Sequence, residues 1–263
     1  KHLSDICANF YDHPENKLAV FGITGTKGKT TTAFMLREIL MTAGRETGLI
    51  GTVCNIIGGE RIHAAHTTPE SADLYKMMGA LVEKKSDSLV MEVSSQGLKL
   101  DRVRGIRYRT AAFTNLYEDH IAPNEHPDME DYISCKLKIF DCCDTGILNV
   151  DCAVADRVIS YCEGKVELIT YGIDGDADFT AKNLSPERRG HVTGTVFELD
   201  SVNIKDEQIV LVILDPVLIA LVQTCYIVDS DALLILTSTL LYLADEIRDR
   251  ATEINEKIRR IDK

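Results

Sequence analysis

Basic clusters are scarce in this chain, and their scarcity removes one large class of partners. Lysine and arginine total 29 against 41 aspartates and glutamates, a net charge of −12 over 263 residues. The one short basic cluster, Arg102 to Arg109, is too small to track a phosphate backbone. No nucleic-acid partner is expected. Uncharged apolar runs of membrane length are also missing. The stretches at 209–214, 216–228 and 232–244 are interrupted by Asp215, Asp229 and Asp231, and each falls short of the roughly 18 residues a spanning helix needs. Eight cysteines, at 7, 54, 135, 142, 143, 152, 162 and 225, form no CxxC pair and no Cys/His metal spacing. They read as reduced thiols in a cytoplasmic protein, with no zinc. Internal repeats are absent too. No charged-plus-apolar leader opens the chain, which starts at Lys1, so a removed leader and a fragment both fit.

Against these absences stands one dense signal, Gly25-Thr26-Lys27-Gly28-Lys29-Thr30. The apolar run from Leu18 to Thr24 reads as a buried strand. Thr31 to Thr42 reads as a helix with Phe34, Leu36, Ile39 and Leu40 apolar and Gly44 as its stop. A glycine-rich turn between strand and helix directs backbone N–H groups at an anion, Lys29 adds a mobile positive charge, and the Thr30 hydroxyl suits Mg²⁺. Residues Gly25 to Thr31 are thus the expected ATP or GTP phosphate loop. The strict pattern would place its first glycine at position 23, which is Ile23; the glycine stands one residue earlier, at Gly22. The match is to the shorter G-T-x-G-K-T form.

Further apolar runs follow at 48–53, 88–93, 109–114, 146–150 and 168–171, mostly separated by helical stretches. That alternation predicts an α/β fold: a P-loop-type, mostly parallel sheet with helices on both faces and ligands at the carboxyl ends of its strands. Glu92, Ser94, Asn115 and Asp151 fall at or just past such ends. Alternating residues at 178–184 and 191–199 predict an antiparallel hairpin around 185–190. The division expected is a nucleotide-binding domain over 1–200 and an apolar, helical tail over 201–263. In that tail, apolar residues recur every three or four positions from Leu240 to Ile261, an amphipathic helix that either packs on this chain or self-associates into an oligomer.

Glu92 ends the run Leu89-Val90-Met91-Glu92-Val93, where a carboxylate is costly to bury unless it meets a cation. His120, in Asn115-Leu116-Tyr117-Glu118-Asp119-His120, follows another strand and can ligate a metal. Read alone, it is an ordinary loop histidine. Read alone, Lys136 is a solvated helix lysine.

Five ordered strings change that reading: GITGTKGKTTT at 22–32, HTTPES at 66–71, MEVSSQGL at 91–98, FTNLYEDH at 113–120 and HPDMEDYISCKLKIF at 126–140. Together they resemble the central ATP-binding domain of the Mur ligase family, most closely its UDP-N-acetylmuramoyl-tripeptide synthetases. The resemblance implies ATP-dependent amide formation. ATP phosphorylates a carboxylate of a UDP-MurNAc-peptide, and an amino acid's amine attacks the acyl phosphate. It implies ATP and Mg²⁺ as cofactors, with Lys29 and the loop N–H groups on the β/γ phosphates. Thr30 and Glu92 would hold one Mg²⁺, and Glu92 and His120 a second. Lys136 matches the lysine that this family carbamylates. Thr67, Thr68, Ser94, Ser95 and Arg102 match positions that hold the UDP-MurNAc-peptide, and Asp119 at most orients its histidine neighbour.

The chain also departs from the family. After Asp119-His120 it continues Ile-Ala-Pro-Asn-Glu-His-Pro, a longer stretch than the family's Leu-Asp-Tyr-His-Gly, which offsets His126. Neither the uridine-binding nor the amino-acid-binding domain of a complete ligase is evident, so the expectation is an ATPase core that needs those domains in trans. Two other readings stay open: a non-catalytic nucleotide-binding or oligomerisation module, and a folylpolyglutamate-synthase-like ligase.

Overall fold

The computed structural model describes residues 3–122, 125–189, 192–201 and 208–211. Helix α1 is Leu3–Phe10, followed by strand β1, Ala19–Thr24. Next come α2, Lys29–Thr42, and three short strands: β2, Thr47–Ile50; β3, Cys54–Ile57; and β4, Glu60–His63. Helix α3, Ser71–Glu83, leads to β5, Ser88–Glu92, then to α4, Ser95–Lys99, and β6, Tyr108–Phe113. Helix α5, Met129–Leu137, tightens into a 3₁₀ turn before β7, Cys143–Asn149. The chain continues with α6, Ala155–Cys162, and β8, Glu167–Gly172. It closes with β9, Phe179–Arg189; β10, Val192–Ser201; and β11, Gln208–Leu211.

All eleven strands form one sheet in the order β11-β10-β9-β8-β7-β6-β1-β5-β2-β3-β4. From β2 to the start of β9 neighbours pair in parallel, and the two flanks are antiparallel. The α/β class expected from the sequence is the class observed.

Period-two alternation sorts the central strands onto two cores. Phe21, Ile23, Val90, Ala112 and Ile147 point to the face covered by Ala33, Leu36 and Leu40 of α2. Val20, Leu89, Met91, Ala111 and Leu148 point to the other face, against Leu74 and Met78 of α3, Ile133 and Leu137 of α5 and Val158 of α6. Both faces are sealed, so the middle strands read as continuous apolar runs. Burial of each such side chain contributes about 1.5–3 kcal/mol. The chain leaves β1 toward β2 on one side and, after β5, crosses to β6 on the other. Beside β1 the crossovers reverse direction, which opens a crevice at the carboxyl ends.

The hairpin differs from expectation. Its strands extend to Arg189 and start at Val192, which pair with each other, so the loop is far tighter than 185–190. Ser185-Pro186 looked like a turn. However, β9 pairs with β8 only through Phe179 and Thr180, so Pro186 sits on a one-sided stretch where its missing N–H costs no ladder bond. The β3–β4 hairpin was not anticipated, although Gly58-Gly59 between two short runs is its signal. The amphipathic tail helix and its oligomerisation lie outside the described residues. The sheet itself runs past residue 200, since β11 pairs antiparallel with β10. Among the described residues no helix is long and apolar enough to cross a membrane.

Candidate functional site

The loop between β1 and α2 depends on two glycines. Gly25 has φ 145° and Gly28, which caps α2, has φ 83°, values a side chain would strain. A Cβ on Gly25 would also collide with Thr114 Oγ1. Asn115, just past β6, clamps the turn from outside. Its Oδ1 accepts from Lys27 N at 2.9 Å, its Nδ2 donates to Lys27 O at 3.2 Å, and its backbone O accepts from Thr26 N at 3.0 Å. The Lys27 ammonium pairs with Asp119 at 3.2 Å, and this contact chiefly lowers the Asp119 pKa.

Two lysines converge on this turn. Lys29 Nζ donates to Gly25 O at 2.9 Å and Thr26 O at 3.0 Å. Lys136, on α5 and only 2% exposed, donates to the same Gly25 O at 2.8 Å. Burial lowers the pKa of both, and the neighbouring Lys29 charge lowers Lys136 further, to well below the ordinary lysine range. Lys136 also lies over the Tyr132 ring, 4.7 Å from its centroid. Tyr132 OH in turn lies 3.2 Å from Thr26 Oγ1. Helix α5 is thus fastened to the loop at two points one turn apart.

Glu92, wholly buried at the end of β5, faces the start of α2. Its Oε2 accepts from Thr30 Oγ1 at 3.0 Å and Thr52 Oγ1 at 2.9 Å, and its Oε1 from Thr52 N at 2.8 Å. Thr52, just past β2, escaped sequence reading; only its place after a strand end could have flagged it. Thr31 continues the first turn of α2, half-buried.

His120 lies elsewhere. It has φ 58°, is about half exposed, and its Nδ1 pairs with Glu125 at 2.7 Å rather than with Glu92.

The five residues matched to substrate positions form one strip beside Glu92. Thr67 Oγ1 meets Thr52 Oγ1 at 3.0 Å. Thr68 Oγ1 donates to Glu92 O and accepts from Ser94 N. Ser94 caps α4, accepting from Gly97 N at 3.0 Å. Arg102 donates to Thr68 O at 3.1 Å and pairs with Glu70 at 2.5 Å. Ser95 Oγ lies 2.9 Å from Nε2 of His126, a fully buried histidine that the loop offset did not lead one to expect here. Carbonyls of the loop, the Glu92 carboxylate and two lysine side chains therefore gather at the carboxyl ends of β1 and β5, an arrangement suited to oxygen-coordinated cations and anionic ligands.

Residues 23–212 match the family model described as Mur ligase middle domain. The chain is 40% identical over 198 residues to the UDP-N-acetylmuramoyl-L-alanyl-D-glutamate–2,6-diaminopimelate ligase of Clostridium botulinum, covering 75% of this chain and 40% of that protein. With the same-named ligase of Bacillus velezensis it shares 40% identity over 208 residues, again 75% of this chain and 40% of the relative. The chain thus spans about 40% of the length of these relatives. Among solved structures, a ligase of the same name superposes with a TM-score of 0.66 at 20% identity, covering 92% of this chain and 50% of the other. Mycobacterium tuberculosis folylpolyglutamate synthase complexed with ADP and AMPPCP gives 0.62 at 16% identity, over 92% of this chain and 58% of that one. These two structural likenesses speak to the fold alone.

Proposed function

Because this chain belongs to the Mur ligase middle-domain family, we propose that it is the ATP-binding core of a cytoplasmic ligase joining an amino acid to a UDP-MurNAc-peptide through an acyl phosphate. The relatives' names point to UDP-MurNAc-L-alanyl-D-glutamate and 2,6-diaminopimelate as the pair to test. The observation that carries the reading is the convergence of Lys29 and Lys136 on the Gly25 carbonyl, with the Thr30–Glu92 pair beside them. A sensor of nucleotide needs the phosphate loop only. A second lysine, from a helix distant in sequence and buried against that loop, suits chemistry.

The residues fit the groups the reading requires. Gly25 to Thr31 form a backbone cradle at the N-terminus of α2, where an anion is favoured, and Lys29 supplies a charge that can leave two carbonyls for phosphate oxygens. Thr30 and Glu92 offer hard oxygen donors for Mg²⁺, whose chemistry is to neutralise charge on a transferring phosphoryl group. To join them, the His120 ring must leave Glu125. Lys136, as a carbamate, would present oxygens in place of an ammonium, and its buried amine is the form that adds CO₂. Thr67, Thr68, Ser94, Ser95 and Arg102 would hold the UDP-MurNAc-peptide. The core runs from residue 1 through β10 near residue 200, with β11 one strand further. Uridine- and amino-acid-binding domains act with this core in cis or in trans. The test is ADP release with UDP-MurNAc-L-Ala-D-Glu and 2,6-diaminopimelate, with a C-terminal Mur domain supplied. Release independent of both acceptors would refute the reading.

A further inference from the structure

Ser95, His126 and Asp131 form a chain of hydrogen bonds from α4 through a loop to α5. His126 Nδ1 lies 2.6 Å from Asp131 Oδ2, and its Nε2 lies 2.9 Å from Ser95 Oγ. The histidine is completely buried, so the two contacts fix its ring. Lys99, also on α4, donates to the same Asp131 oxygen at 2.7 Å and to Glu125 O at 2.9 Å. Cys135 lies close enough to His126 and Asp131 to suggest a metal centre, all three ligand atoms falling within 4.8 Å. The Lys99 ammonium on that carboxylate opposes a cation there, and the histidine nitrogens already have partners. The group is a hydrogen-bonded brace.

Its polarity follows from the chemistry of the partners. An ionised carboxylate only accepts, so Nδ1 carries the proton. In the neutral ring Nε2 is then a bare acceptor, and the Ser95 hydroxyl must donate to it. Ser95 is left with lone pairs alone to offer a ligand. Its neighbour is the reverse. Ser94 Oγ accepts from Gly97 N at 3.0 Å while its own proton stays assignable to a ligand. Thr68 Oγ1 has both its roles filled, donating to Glu92 O at 3.0 Å and accepting from Ser94 N at 2.9 Å. Two hydroxyls consecutive in sequence therefore differ in polarity, Ser94 keeping a donor and Ser95, 4% exposed, an acceptor.

We propose that His126 is a positioning residue that makes Ser95 an acceptor-only contact, so that Ser94 and Ser95 read a secondary amide of the peptide arm and not a carboxylate or phosphate oxygen. The proposal rests on the reading that this strip holds a UDP-MurNAc-peptide. The amides of the peptide arm carry both groups, an N–H for Ser95 and, on the opposite edge of a trans amide, a C=O for Ser94. An anionic oxygen would face the lone pairs of Ser95 and gain nothing from it.

Two measurements decide the matter. In ¹⁵N-histidine NMR of the whole chain, His126 should show a protonated Nδ1 and a bare Nε2. An imidazolium or an Nε2–H tautomer would overturn the polarity. In calorimetry with UDP-MurNAc-L-Ala-D-Glu, replacing the peptide-arm amides in turn by esters removes one N–H at a time. One ester should bind about tenfold more weakly, the worth of one hydrogen bond. That penalty should vanish in Ser95→Ala and shrink in His126→Asn, which keeps a donor for Asp131 and frees the Ser95 proton for the ester oxygen. Failure of wild type to bind the parent compound with a uridine-binding Mur domain supplied in trans would sink the functional reading and this proposal with it. Parent binding with no ester penalty, or with a penalty that survives Ser95→Ala, would sink this proposal alone.

Discussion

Replacing Glu92 by glutamine separates the site's chemistry from its architecture. The carboxylate is wholly buried and takes three hydrogen bonds, one from an amide and two from hydroxyls. Glutamine keeps the shape. Its oxygen can face Thr52 N, which can only donate, while its NH₂ faces the hydroxyls of Thr30 and Thr52, both able to turn and accept. No partner is stranded. The three bonds fall from the charged to the neutral class, a loss of about 1 kcal/mol each, against the several kcal/mol that burying a charge costs. These terms nearly cancel, so stability should stay within about 1 kcal/mol, a Tm shift of about 2–4 °C for a chain of this size. Mg²⁺-dependent ATP binding should weaken at least tenfold, because an amide is a poor ligand for a hard dication. Thermal denaturation and calorimetry with and without Mg²⁺ give both numbers. A Tm drop above about 10 °C with unchanged Mg²⁺ dependence would make Glu92 a structural residue and remove it from the site.

Lys29→Ala should weaken ATP binding at least tenfold by calorimetry, through loss of a charge-assisted contact. Lys136→Ala should abolish ADP formation in the reconstituted ligase, with partial recovery on adding acetate, and ¹³CO₂ should give a carbamate resonance in wild type only. His120→Ala should leave the Tm within about 2 °C, since the ring is about half exposed, while lowering Mg²⁺-dependent turnover; wild-type turnover would remove it from the metal set. The Asp131 carboxyl is held below its ordinary pKa, first by Lys99 and then by His126. A depressed carboxyl stabilises the fold above its unfolded pKa, so the stability gap between wild type and Asp131→Asn should be full at neutral pH and close as pH falls through the acid range. A gap unchanged between pH 7 and 3 in denaturant titrations would contradict this.

The sheet was legible because its strands are sealed on both faces: runs such as Leu89-Val90-Met91 carry the signal in every residue. Strand ends were legible for the same reason, and with them Glu92, Ser94 and Asn115. The pairing of Arg189 with Val192 was obscured by Pro186, whose tolerance depends on pairing that exists only in three dimensions. His126 and Thr52 were invisible for a related reason. Each acts through partners 31 and 40 residues away, and no local pattern marks such a residue. Lys136 was found only because the surrounding string resembles a family; its burial against Gly25 could not be read from helical spacing. The orientation of His120 toward Glu125 was not legible at all.

The carbonyl of Gly25 has two lone pairs, and two lysine Nζ atoms donate to it, one of them 111 residues away along the chain. That oxygen atom is thus one of the two points, with the Tyr132–Thr26 contact, at which α5 meets the phosphate loop. An anion that drew Lys29 outward would relax the repulsion that depresses Lys136 and leave the oxygen to it alone. Occupancy on one side of the loop would then reach the other through that shared carbonyl.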